Sequence, residues 1–156
     1  MRNVIQISEA ASLALHGMGI LAMCGGRVSV QEIAEKTGAS EAHLSKVFQR
    51  LSRAGLVNSM RGPKGGFALA RPAEEITLLD IFTAIEGDPR PGPCLLSKGR
   101  CIFNDCLFGD LIPEINRRFL DHLSQKTLAT IVPPAKNNPL GSDLDFNPLY
   151  DKIILL

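Results

Sequence analysis

Between Ser29 and Gly55 this chain starts and stops two helices with only Gly38-Ala39-Ser40 between them. Ser29 stands directly before Val30 and has Glu32 three residues on, the arrangement in which a hydroxyl and a carboxylate satisfy free backbone N–H groups at a helix start. Gly38 suits the left-handed residue that closes a helix, so the first of the pair is expected over residues 30–37. Ser40 opens the second, EAHLSKVFQRLSRAG, in which Leu44, Val47, Phe48 and Leu51 form an apolar stripe and Gly55 is the stop. Two helices joined by so short a glycine-bearing turn make a helix-turn-helix.

The flanking segments extend that motif. After Gly55 the pattern changes to LVNSM, RGPKGG and FALA, two short strands around a tight Gly/Pro turn, which predicts a β-hairpin wing closed by Pro72. ITLLDIFTAIEG then carries Ile76, Leu79, Phe82 and Ile85 at helical spacing, with Thr77 as cap and Gly87 as stop. This fourth helix is expected to pack on the first, the proline-free stretch Ile7–Cys24 with apolar residues at 10, 13, 14, 18, 21 and 22, which ends at Gly25-Gly26. A Pro/Gly/Cys-rich loop runs from Asp88 to Asp105, and a long helix is expected over 107–131 with Leu111, Ile115, Phe119 and Leu123 on one face. Pro113 falls in its first turns, where proline is tolerated. The fold class is mainly α with a small β-hairpin wing: a winged helix-turn-helix domain over 1–88, a cysteine-rich loop over 89–106, a long helix over 107–132 and a tail of unassigned role over 133–156.

Charge supports a polyanionic partner. Before Pro72 there are nine Lys/Arg against four Asp/Glu, and after it eight against twelve; within 40–72, Lys46, Arg50, Arg53, Arg61, Lys64 and Arg71 face only Glu41. Such a run is usually a solvated face, so it gains meaning only from the motif around it. A recognition helix lays its first residues against base edges, and those positions must be polar and unused by the core. Ser40, Glu41, His43, Ser45 and Lys46 meet that demand, and Arg50 and Arg53, further along, suit phosphates. In the wing, Arg61 and Lys64 place charge on a narrow tip, while Gly65 and Gly66 allow backbone to approach a sugar-phosphate wall.

No run of 18 apolar residues occurs, and the opening segment is interrupted by Glu9, Ser12 and His16, so neither a membrane span nor a secretory leader is expected and the protein is read as cytoplasmic. In a reducing compartment, thiols gathered in one loop serve metal or redox chemistry more readily than structural disulfides. Cys94, Cys101 and Cys106, spaced C-x6-C-x4-C, are such a set, and thiolates are the soft ligands of iron–sulfur clusters. Zinc, a regulatory disulfide and three free thiols are the other readings of the same residues. Cys24, in the apolar first helix, is read as a small core residue, and His122 as an interface residue.

Residues 27–88, and above all the wing phrase RGPKGGFALARP followed by EITLLDIFTAIEG, resemble the IscR/NsrR/CymR-type winged-helix regulators, also called the Rrf-two family. The likeness reaches from the first helix through the cysteine loop, about residues 1–130. It implies a transcription regulator, for example a repressor, that binds double-stranded DNA at a palindromic operator. It also implies a homodimer formed by the long helix and, in many members, an iron–sulfur cluster (2Fe-2S or 4Fe-4S) on the three cysteines. The fourth ligand is not assigned: where some relatives carry histidine three residues after the last cysteine this chain has Gly109, and where others take an acidic residue from the first helix it has Ser12. Glu9, His16 and Asp105 are the other candidates. No nucleophile elbow, phosphate loop or HExxH motif is present, so an enzyme is not expected. A second reading keeps the DNA-binding fold without a cluster, sensing through thiol oxidation, a small molecule or a partner protein.

Overall fold

The computed structural model describes residues 7–62, 65–89, 103 and 105–132. Helix α1 spans Glu9–Cys24, α2 Val30–Thr37 and α3 Glu41–Arg53; strands β1 (Val57–Met60) and β2 (Gly66–Leu69) follow, then α4 (Leu78–Glu86), α5 (Leu111–Gln125) and α6 (Leu128–Ile131). The caps lie where the sequence places them. Ser29 and Glu32 form the reciprocal capping pair of α2, Ser40 caps α3, and Thr77 caps α4 with Asp80 answering from three residues on. Gly25 and Gly38 close α1 and α2 in the left-handed conformation.

Helices α1, α3 and α4 pack around one core, with α1 lying along α4 as expected. Phe48 is fully buried at its centre and meets Phe67 of the wing with ring centroids 4.7 Å apart. A Cβ on Gly17 would stand 2.8 Å from the Phe48 ring, so the absence of a side chain there lets α1 and α3 approach closely. The wing is an antiparallel pair in the register Val57↔Leu69 to Met60↔Gly66. Phe67 also exchanges both backbone hydrogen bonds with Val28, at 2.8 and 2.9 Å, so the residue before the α2 cap acts as a third rung that fixes the wing against the helix-turn-helix.

The helix expected over 107–131 is shorter and divided. Residues 107–110 form a turn, with Gly109 at positive φ, before α5 begins. After Gln125 the backbone becomes extended because Thr127 bridges to Thr77: the Leu78 N–H donates to the Lys126 carbonyl and the Leu128 N–H to the Ile76 carbonyl, both at 2.9 Å. Those bonds end α5 and carry Leu128, fully buried, into the core built by α1–α4. The tail over 133–156 lies outside the described residues. No helix among the described residues is long and apolar enough to cross a membrane.

Candidate nucleic-acid interface

Burial sorts α3 into two faces. Leu44, Val47, Phe48 and Leu51 are buried, and at 3.6 residues per turn the opposite row is Ala42, Lys46, Gln49 and Arg53, all exposed. Ser45 lies half-buried on the flank of that row and Glu41 is exposed at its start. Ser40 is exposed too, but its hydroxyl accepts from the His43 N–H at 3.2 Å as the helix cap. His43 is turned toward α1, its Nδ1 3.8 Å from the Glu9 carboxylate. Of the residues chosen from sequence, Lys46 is central to the exposed face, while Ser40 and His43 have internal work.

Two residues on that row were passed over. Gln49 presents a side-chain amide able to pair with the N6 and N7 edge of adenine, and Ala42 a methyl group suited to the methyl of thymine. The helical period carries the row on from Lys46 to Gln49 and Arg53, one and two turns beyond the base-contact residues expected from sequence. Arg50, expected at phosphates, is also exposed, and its guanidinium donates to the Ile85 carbonyl in the last turn of α4.

The wing tip carries exposed Arg61, and the Gly65 N–H returns to the Gly62 carbonyl at 2.8 Å to tighten the turn; Lys64 lies outside the described residues. Both glycines also have a reason internal to the fold. A Cβ on Gly66 would collide with the Val28 carbonyl group, and one on Gly65 would stand 2.7 Å from the Met60 oxygen. Arg27, at the foot of the wing, donates from Nη2 to Met60 Sδ and adds a cation that sequence reading did not select.

Of the cysteine set, Cys94 and Cys101 lie outside the described residues. Cys106 is an exposed free thiol whose carbonyl accepts from the Gly109 N–H at 3.1 Å in the turn that leads into α5. Among the described residues no three His, Cys, Asp or Glu gather closely enough to hold a metal ion. His16 is held by its own helix, Nδ1 donating to the Ser12 carbonyl at 2.7 Å; Ser12 flanks it, and Asp105 is exposed beside Cys106. Cys24 is not the core residue expected: it is the last residue of α1, beyond the turns that α3 and α4 cover, and is exposed. What burial it has pushes its thiol up, with Lys36 pulling the other way.

Comparison with known proteins agrees with this geometry. The Rrf2 family model, described as an iron-dependent transcriptional regulator, matches residues 7–134. A protein of Neisseria meningitidis serogroup A named as an HTH-type transcriptional regulator is 39% identical over 118 residues, 75% of this chain and 78% of that one. The HTH-type transcriptional regulator IscR of Yersinia pseudotuberculosis is 34% identical over 126 residues, 81% of this chain and 73% of its own length. The structure of CymR, described as the global cysteine regulator of B. subtilis, superposes with a TM-score of 0.68 at 27% identity, over 90% of this chain and 100% of CymR.

Proposed function

Because this chain belongs to the Rrf2 family of transcriptional regulators, we propose that it acts as a homodimer on a palindromic operator and is switched by an iron–sulfur cluster on Cys94, Cys101 and Cys106. The relatives it matches are DNA-binding regulators, not enzymes. The observation that carries the reading is the exposed row Ala42, Lys46, Gln49 and Arg53 beside a basic wing. In this reading the row and Ser45 enter the major groove, Arg53 reaches phosphate, and Arg61 with Lys64 follows the minor groove. Glu41 at the mouth of the helix repels phosphate and so restricts how α3 can enter. Two copies related by a two-fold axis place their recognition helices about 34 Å apart, one turn of DNA, so the operator is a palindrome. Such a regulator works in the cytoplasm, where its operator lies.

The donor set fits a cluster by its chemistry: three thiols close together in the sequence, C-x6-C-x4-C, the described one, Cys106, being exposed and in no disulfide. When bound, the cluster supplies sensitivity to oxidants, nitric oxide or iron supply. The protein's part is positional, since Cys106 stands at the threshold of α5 and links whatever holds the loop to the helix proposed to make the dimer. A second reading, a thiol or small-molecule sensor without a cluster, is favoured by the match to CymR, described as a cysteine regulator.

Anaerobic purification separates the two. Visible absorption that disappears on chelation, together with operator affinities that differ between the loaded protein, the stripped protein and Cys101→Ala, is expected of the cluster. A difference of roughly 5- to 150-fold is the ordinary range of such coupling. Colourless protein would leave the thiol reading, and equal affinities in all three forms would show that the loop does not govern DNA binding.

A further inference from the structure

We propose that Arg50 is a strut between the DNA-reading helix and the end of α4 from which the cysteine segment departs, rather than a phosphate contact. Its guanidinium donates to the carbonyl of Ile85. That carbonyl is one of the last-turn acceptors that have no partner within their own helix. α4 has no basic residue in its last turn, so Arg50 supplies from another helix the cation that a helix C-terminus favours. The same turn is gripped from a second side, where the Ser8 hydroxyl that caps α1 donates to the Glu86 carboxylate. Gly87 then returns its N–H to the Thr83 carbonyl at 2.9 Å, and Asp88-Pro89 lead toward Cys94 and Cys101.

α1 is in turn beside α3, through the approach of Glu9 to His43. The start of α1, the end of α4 and the flank of α3 therefore form one corner, and Arg50 stands one turn after Lys46 and next to Gln49 in sequence. A displacement of the last turn of α4 is felt at the exposed row of α3 through this side chain. The inference rests on the reading of the chain as a regulator switched at its cysteines, and it names the residue by which the state of that segment reaches α3.

The test uses full-length protein carrying Arg50→Met, with operator affinity measured across a salt series, amide exchange followed at 84–87, and the Cys106→Ser change made in both backgrounds. Arg50→Met is expected to speed exchange in the last turn of α4 about fivefold, the loss of one modest hydrogen bond. The salt slope should stay as in the wild type, and the fold-change in affinity caused by Cys106→Ser should fall toward one. A slope shallower by about one unit would make Arg50 a phosphate contact and overturn the proposal, as would unaltered exchange. If Cys106→Ser has no effect on affinity in the wild type, the cysteine switch fails, while the strut still stands or falls on exchange and slope. Should Arg50→Met not fold, Arg50→Gln keeps a donor and loses the charge: an unchanged slope supports the strut, and a slope shallower by about one unit overturns it.

Discussion

Helices α3 and α5 share a spacing of apolar residues and differ in what covers it. In α3 the whole stripe of Leu44, Val47, Phe48 and Leu51 is buried, because α1, α2, α4 and β1 close over it. In α5 the stripe is covered at one end only: exposure falls from 49% at Leu111 and 38% at Ile115 to 5% at Leu123. Phe119, between them, sets its edge on Phe82 of α4, centroids 5.4 Å apart. Leu107 and Phe108 extend the uncovered end into the turn before α5. Periodicity specifies that a stripe exists; only the rest of the fold decides whether the chain itself covers it. The second copy proposed above would cover this exposed end.

The largest effect should come from the covered helix. Phe48→Ala removes the ring that fills the space between Gly17 and Phe67 and is expected to cost about 3–5 kcal/mol of stability, read by denaturant unfolding. A loss under about 1 kcal/mol would mean that the stripe of α3 is not packed as described. On α5 the expected effect is on assembly. Leu111→Glu with Ile115→Glu should leave secondary structure intact and weaken self-association by about 2 kcal/mol or more, enough to halve the mass seen by light scattering at micromolar concentration. A wild type already monomeric under those conditions would remove the dimer, and the contrast between the helices would lose its meaning.

Smaller effects lie at the helix start and on the exposed faces. Ser29→Ala should cost about 1 kcal/mol by removing the cap of α2. Hydrogen bonds from the Ser29 backbone and hydroxyl, both at 2.7 Å, hold the Glu32 carboxyl below its ordinary value. A carboxyl whose folded value is lowered stabilises above its unfolded value and loses that contribution as pH falls through the folded one. The gap in melting temperature between wild type and Glu32→Gln is therefore expected to be full at neutral pH and to close below the ordinary glutamate range. The smallest change should be Glu114→Gln on α5, whose carboxylate meets Arg118 at 2.7 Å on an exposed face. Thermal unfolding should register less than about 0.5 kcal/mol.

What was legible in the sequence is what short-range chemistry determines. Ser29, Gly38, Ser40 and Thr77 end or begin helices through groups three or four residues away, and each does so in the structure. What the sequence did not show mostly involves partners far along the chain. Arg50 finds Ile85, Gly66 makes room for Val28, and Thr127 finds Thr77, which breaks a helix that periodicity alone would continue. Cys24 has helical neighbours like those of a core residue but stands past the end of the covered surface. Gln49 and Ala42 were within reach of the helical period and needed only the buried face of α3 to be defined first.

The backbone pairing of residues 126–128 with 76–78 also orders events at the ribosome. Leu128 is a fully buried member of a core whose other members, Ala11 to Ile85, are translated well before it. Synthesis runs from the N-terminus and domains gather as units while the chain emerges. A nascent chain that has reached only the cysteines still has an unfilled place in its core and an α4 whose entrance lacks the bonds to Lys126 and from Leu128. The last piece of the DNA-binding unit is thus delivered after the cysteine segment, so the reader of DNA is finished only once the residues proposed to govern it have been made.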